Sequence, residues 1–86
     1  MTTPARSHPV GIVGTGYVGL VTALSLAELG NDVICLDIDR AKVAALRAGI
    51  APFVEPGVPE QLTRHRDRLV FTTDAAELFE RCSIVF

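Results

Sequence analysis

Apolar positions along the chain follow two spacings. Short runs with little polar interruption lie at residues 10–13, 33–36 and 69–72, and a further run opens near Ser83. Runs of this length, bounded by Gly, Asn and Asp, predict buried strands. Between them the spacing is helical. Leu20, Val21, Leu24 and Ala27 fall at i, i+1, i+4 and i+7 in a helix expected over 17–29, with Gly30 as its C-terminal cap. Asp39 is a candidate N-cap for a helix over 40–48 that carries Val43, Leu46 and Ile50 on one face and stops at Gly49. Asp74 and Glu77 have capping-box spacing and open a helix reaching about Arg81. Residues 51–59 break the alternation. There Pro56-Gly57 suits the middle of a type II turn, and Pro59 starts a short helix through Gln61 and Leu62.

The resulting order is βαβα, a loop with a short helix, then βαβ, which implies a parallel sheet covered by helices. Right-handed crossovers put the first strand in the centre, the second and third on one side, and the fourth on the other. The expected fold class is α/β, a Rossmann-type doubly wound parallel sheet with about four of the usual six strands.

The first strand runs straight into Gly14-Thr15-Gly16-Tyr17-Val18-Gly19, which matches G-x-G-x-x-G. Alone the match is weak. Here a strand precedes it, a helix follows it, and Asp37 closes the next strand about 20 residues on, which is the context of a dinucleotide fingerprint. Gly14 permits the tight turn, Gly16 lets the backbone approach a pyrophosphate, and Gly19 lets the helix pack on the strand. The helix start presents unpaired N–H groups and a positive dipole end to the phosphates. Asp37 can accept from the adenosine ribose hydroxyls, and its charge opposes a 2′-phosphate, which favours NAD over NADP despite Arg40 nearby. Lys42 can reach toward the same adenosine end. On spacing alone, an ordinary exposed lysine explains it equally well. The cofactor is expected at the carboxyl ends of the strands, in the crevice between the first and the fourth.

The chain of 86 residues is 49% hydrophobic and 21% charged, which is globular and too short for a complete domain of this type. Ile84-Val85-Phe86 ends it inside an apolar run, so residues 9–86 read as the N-terminal part of an NAD-binding domain and residues 1–8 as a flexible leader. A net charge of −2 supplies no field for nucleic acid or an anionic membrane. The one basic cluster, Arg64-His65-Arg66-Asp67-Arg68, lacks interleaved aromatics and reads as a solvated helix end. Residues 10–27 are uncharged, follow Arg6 and end in Ser25-Leu26-Ala27, a loose likeness to a secretory signal. Glycines at 11, 14, 16 and 19 in fingerprint register, with Asp37 beyond, favour a cytoplasmic nucleotide-binding chain instead. Cys35 and Cys82 show neither C-x-x-C spacing nor a histidine partner, so no metal site is expected and both read as buried free thiols.

The run Gly14-Thr15-Gly16-Tyr17-Val18-Gly19-Leu20-Val21-Thr22-Ala23, then Leu36-Asp37-Ile38-Asp39 with Lys42-Val43, Glu55-Pro56-Gly57, and Leu69-Val70-Phe71-Thr72-Thr73-Asp74 resemble the start of the UDP-glucose/GDP-mannose dehydrogenase family. The likeness covers nearly everything from Val10 onward. It implies an NAD-dependent, two-step oxidation of a primary alcohol on UDP-glucose or a related sugar nucleotide, with a cysteine holding the intermediate, in a homo-oligomeric parent. It also implies cofactor contacts from the fingerprint residues with Asp37 and Lys42. The family's nucleophile, its catalytic lysine, asparagine and aspartate, and its sugar-nucleotide domain lie beyond residue 86, so no catalytic residue is expected within this chain. Two other readings share the strand–glycine–helix–strand–acid start: regulatory nucleotide-binding domains of potassium channels and transporters, and other NAD-dependent dehydrogenases such as the hydroxyacid type.

Overall fold

The computed structural model describes residues 9–86, and the leader expected over 1–8 lies outside the described residues. Strands β1 (Val10–Val13), β2 (Val33–Leu36), β3 (Leu69–Thr72) and β4 (Ile84–Val85) form one parallel sheet in the order β3-β2-β1-β4. This is the arrangement that right-handed crossovers impose. Along the sheet Ile12 faces Cys35, which faces Phe71, so the inward positions of three strands stay in one row.

Both faces of the sheet are covered. On one side lie α1 (Tyr17–Glu28), α2 (Arg40–Arg47) and α3 (Val58–Arg64). Their Leu20, Leu24, Val43, Leu46, Val58 and Leu62 pack against Ile12, Val33, Cys35, Leu69 and Phe71. On the other side α4 (Ala75–Arg81) sets Leu78 against Ile34 and Leu36. All four residues of β2 are buried, which is why its run is uninterrupted: a parallel strand with helices above and below has no solvent-facing position.

Several details differ from the sequence reading. The buried face of α1 is Leu20, Ala23, Leu24 and Ala27, with Ala23 in place of the half-buried Val21. The i, i+3, i+4, i+7 row is the true stripe of a helix, and Val21 stands about 100° round from Leu20. Ile50 is 60% exposed. Because α2 ends at Arg47 and the chain turns through Ala48 and Gly49, helical spacing no longer applies at Ile50.

The capping box at Asp74 is only half made. Asp74 Oδ1 accepts from the N–H groups of Ala76 and Glu77, but Asp74 N–H donates to Thr72 Oγ1. Glu77 is left to meet Arg81 across one helical turn. The turn at Pro56-Gly57 forms as expected: Val58 N–H donates to Glu55 O, and Gly57 has φ +90°, which a side chain would resist. Helix α3 begins at Val58, one residue before Pro59, and runs on to Arg64.

The basic cluster is not simply solvated. A 3-10 helix at Arg66–Arg68 follows α3, and Arg68 Nη1 donates to Gly30 O while lying 3.6 Å from Asp32 Oδ1. His65 Nε2 lies 3.1 Å from Glu28 Oε1. The cluster thus ties the α3 segment to the end of α1, and no spacing rule connects residues 37 or 38 positions apart.

Candidate cofactor site

The site lies where β1 and β2 end. Gly14 leaves β1 with φ +94° while its N–H donates to Leu36 O at 2.7 Å, so the turn is pinned to the end of β2. Gly16 is the N-cap of α1 and no side chain caps the helix. Nothing lies within 4 Å of where a Gly16 Cβ would stand, whereas a Cβ on Gly19 would run into the carbonyl oxygen of Gly14. The two glycines serve opposite ends: one keeps space open, the other lets helix and turn touch. Over the turn lies an open cleft of about 520 Å³, lined by Gly14, Gly16, Tyr17, Val18 and Gly19, with Phe86 on the β4 side. That is the crevice between β1 and β4 that the topology predicts. An anionic dinucleotide fits such a cradle, since uncapped helix N–H groups and the positive dipole end face unfilled space.

Asp37 follows β2 directly, and its carboxylate is held from several directions. Oδ2 accepts from Thr15 N–H at 3.0 Å, from Thr15 Oγ1 at 2.7 Å and from Lys42 Nζ at 3.2 Å. Oδ1 accepts from Asp39 N–H at 2.9 Å. Asp37 N–H in turn donates to Thr72 O, which anchors the backbone to β3. Burial pushes the carboxyl up, but the bonds from Thr15, Asp39 and Lys42 outweigh it and hold Asp37 well below the ordinary carboxylate range. Asp39 also caps α2 by accepting from Lys42 N–H, and this first turn carries the Lys42 side chain back to Asp37.

The structure therefore brings Gly14, Thr15, Gly16, Gly19, Asp37 and Lys42 together on one rim. Tyr17 and Val18 stand on the cleft wall, largely exposed, and the Tyr17 ring packs against Phe53 with centroids 5.3 Å apart. Phe53 and Phe86 were not legible as neighbours of this site. Phe53 arrives from the proline-rich loop, and Phe86 gets there by exchanging bonds with β1, its N–H to Gly11 O and its O from Val13 N–H.

Cys35 is fully buried, and burial, with Cys82 nearby, pushes its thiol up to about 12. Burial also raises the half-buried Cys82, against the pull of Arg81. Neither has the lowered thiol of a reactive cysteine. Among the described residues no three His, Cys, Asp or Glu side chains are placed to hold a metal ion, and no helix is long and apolar enough to cross a membrane.

Comparison with known proteins agrees with this geometry. The family model described as "UDP-glucose/GDP-mannose dehydrogenase family, NAD binding domain" matches residues 8–86. The chain is 47% identical over 77 residues to UDP-glucose 6-dehydrogenase of Pseudomonas aeruginosa, a match covering 87% of this chain and 17% of the relative. It is 38% identical over 79 residues to UDP-glucose 6-dehydrogenase TuaD of Bacillus subtilis, covering 90% of this chain and 17% of that one. Among solved structures, GDP-mannose dehydrogenase of Pseudomonas aeruginosa superposes with a TM-score of 0.85 at 35% identity, over 90% of this chain and 18% of the other. The chain thus spans less than a fifth of the length of these relatives. Sequence and backbone converge on one family rather than on a channel regulatory domain or a hydroxyacid dehydrogenase, and the chain belongs to the UDP-glucose/GDP-mannose dehydrogenase family as its NAD-binding domain.

Proposed function

We propose that this chain is the NAD-binding portion of a UDP-glucose 6-dehydrogenase-like enzyme. The parent oxidises the C6 primary alcohol of UDP-glucose or a related sugar nucleotide to the carboxylate, with two NAD reduced per sugar. The observation that carries the reading is the meeting of Asp37, Lys42 and the uncapped start of α1 on one rim. The unpaired N–H groups that follow Gly16 at the start of α1 hold the pyrophosphate, and Asp37, itself held by Thr15 N–H, accepts from the adenosine ribose. Lys42, lifted off the carboxylate by the incoming hydroxyls, turns to ribose or phosphate oxygens. Tyr17, Val18 and Gly19 complete the contact surface along the cleft, and Thr15 supports the site from beneath through its bond to Asp37. When bound, NAD supplies the hydride acceptor. This chain's part is to orient it and to present its reactive end toward the β4 side.

No residue of the chain is assigned to catalysis, so the 86 residues alone should bind NAD weakly and turn over no sugar nucleotide. We also propose a cytoplasmic homo-oligomer for the parent, on the strength of its sequence patterning and family resemblance. The test is NADH formation by the full-length protein with UDP-glucose and GDP-mannose offered separately. About two NADH per UDP-glucose, and loss of NAD binding in Gly16→Val, are expected. Turnover by the 86-residue chain, or NAD affinity unchanged in Gly16→Val, would defeat the assignment.

A further inference from the structure

Asp37 presents a carboxylate with four donors already on it: Thr15 N–H, Thr15 Oγ1, Lys42 Nζ and Asp39 N–H. Three of these donors crowd Oδ2 and one bonds Oδ1, so of the roughly four lone-pair positions of a carboxylate Oδ1 keeps one open to a ribose hydroxyl and Oδ2 has none to spare. The donors differ in freedom. Two are backbone groups. Lys42 sits at the end of a long side chain that is 29% exposed, at the greatest distance of the four. Thr15 is 0% exposed, and its hydroxyl makes the shortest bond. A ribose hydroxyl can therefore displace Lys42 but not Thr15. Rotation of the Asp37 side chain would break a bond made inside the protein, where no water replaces it.

We infer that Thr15 is a specificity-determining positioning residue, whose buried hydroxyl stops Asp37 from swinging aside and thereby excludes a cofactor carrying a 2′-phosphate. Two cations stand near this end of the site, Lys42 and the exposed Arg40. Both could receive a phosphate if the carboxylate turned away. With Thr15 holding Asp37 from its backbone and its side chain together, the carboxylate stays ionised and in place. A 2′-phosphate then meets a fixed negative charge, while a 2′-hydroxyl meets an acceptor. The x of G-x-G thus contributes through Asp37 and not by touching the cofactor with its side chain. The inference rests on the proposal that Asp37 reads the ribose.

The test compares NAD and NADP affinity in the full-length protein for wild type, Thr15→Val, Thr15→Ser and Asp37→Asn. Valine keeps the volume and removes the hydroxyl. The expected result is a preference for NAD over NADP reduced about tenfold in Thr15→Val, the worth of one hydrogen bond to a charged group. Thr15→Ser should keep the wild-type preference, and Asp37→Asn should lose most of it. NAD affinity of Thr15→Val should also fall off at a higher pH than that of wild type, because an Asp37 released from Thr15 takes up a proton more readily. A merely structural threonine would move neither readout. Where valine prevents folding, Thr15→Ala makes the same comparison. A preference and an acid limb both within twofold of wild type in the variant lacking the hydroxyl, with Asp37→Asn defective, would overturn the role of Thr15 alone. Unchanged preference in Asp37→Asn would overturn the ribose assignment and this inference with it.

Discussion

Gly16 and Gly19 belong to one turn, yet substitution should fail at each for a different reason. A Cβ on Gly19 collides with Gly14 O, so Gly19→Ala should lower stability by about 1–3 kcal/mol in urea unfolding, the usual cost of overfilling a packed contact. Gly16 has open space and extended backbone, φ −70° and ψ −172°, which any residue adopts. Gly16→Val should therefore melt like wild type while losing NAD. Asp37 carries a pH signature. Its folded carboxyl lies below the free value of about 3.9, so its bonds stabilise fully above that value, and the contribution is lost as pH falls through the folded one. The stability deficit of Asp37→Asn should be constant at neutral pH and shrink below about pH 4. A deficit that grows in acid would contradict the bonding described. Cys35, with its thiol near 12 and no exposure, should resist alkylation at pH about 8 in the native protein and react only on unfolding.

At the scale of elements, the short helices α2 and α4 are each held by an aspartate cap and a buried contact rather than by their length. Helix α4 has seven residues and only one that is buried, Leu78. Isolated helices so short do not persist in water, so α4 depends on that contact and on Asp74. Leu78→Ala should cost about 3 kcal/mol and Asp74→Ala about 1 kcal/mol, measured by chemical unfolding. Helix α1 is the contrast. With twelve residues and four buried it can leave its N-terminus without a side-chain cap, and that is the end that faces the cleft. The orphan N–H groups that other helices close with Asp39 or Asp74 stay available here.

Over the whole molecule, the two sheet edges are treated differently. On the β3 edge, Arg47 Nε donates to Phe71 O at 2.8 Å and blocks a carbonyl that points away from β2. Among the described residues no side chain bonds the β4 edge in this way, and Ile84, Phe86 and Phe79 of α4 are 58%, 66% and 59% exposed. An unguarded apolar edge is a template for pairing with another strand. The 86 residues expressed alone should therefore self-associate with rising concentration in sedimentation velocity, and placing lysine at Val85 should reduce the effect. A monomer at all concentrations would mean that the edge does not template pairing.

Local chemistry made much of this protein legible from its residues. Strands, helices, the turn at Gly57 and the strand order follow from spacing, glycine and proline conformations, and the handedness of crossovers, all of which act between near neighbours or by a general rule. The fingerprint glycines and Asp37 were legible because their register is set within one βαβ unit. Tertiary structure decided what depends on residues far apart in the chain. Thr15 and Asp37 are 22 positions apart, and only the pairing of β1 with β2 brings hydroxyl and carboxylate to 2.7 Å. Ile50 fell outside the core because α2 stopped first, and the basic cluster became a tie to α1 through Arg68 and His65. Phe53 and Phe86 reached the cleft by routes that carry no periodic signal. Pattern reports what a residue prefers among its neighbours, whereas partners across the sheet are chosen by packing, where the contact of one pair fixes the space left for the next.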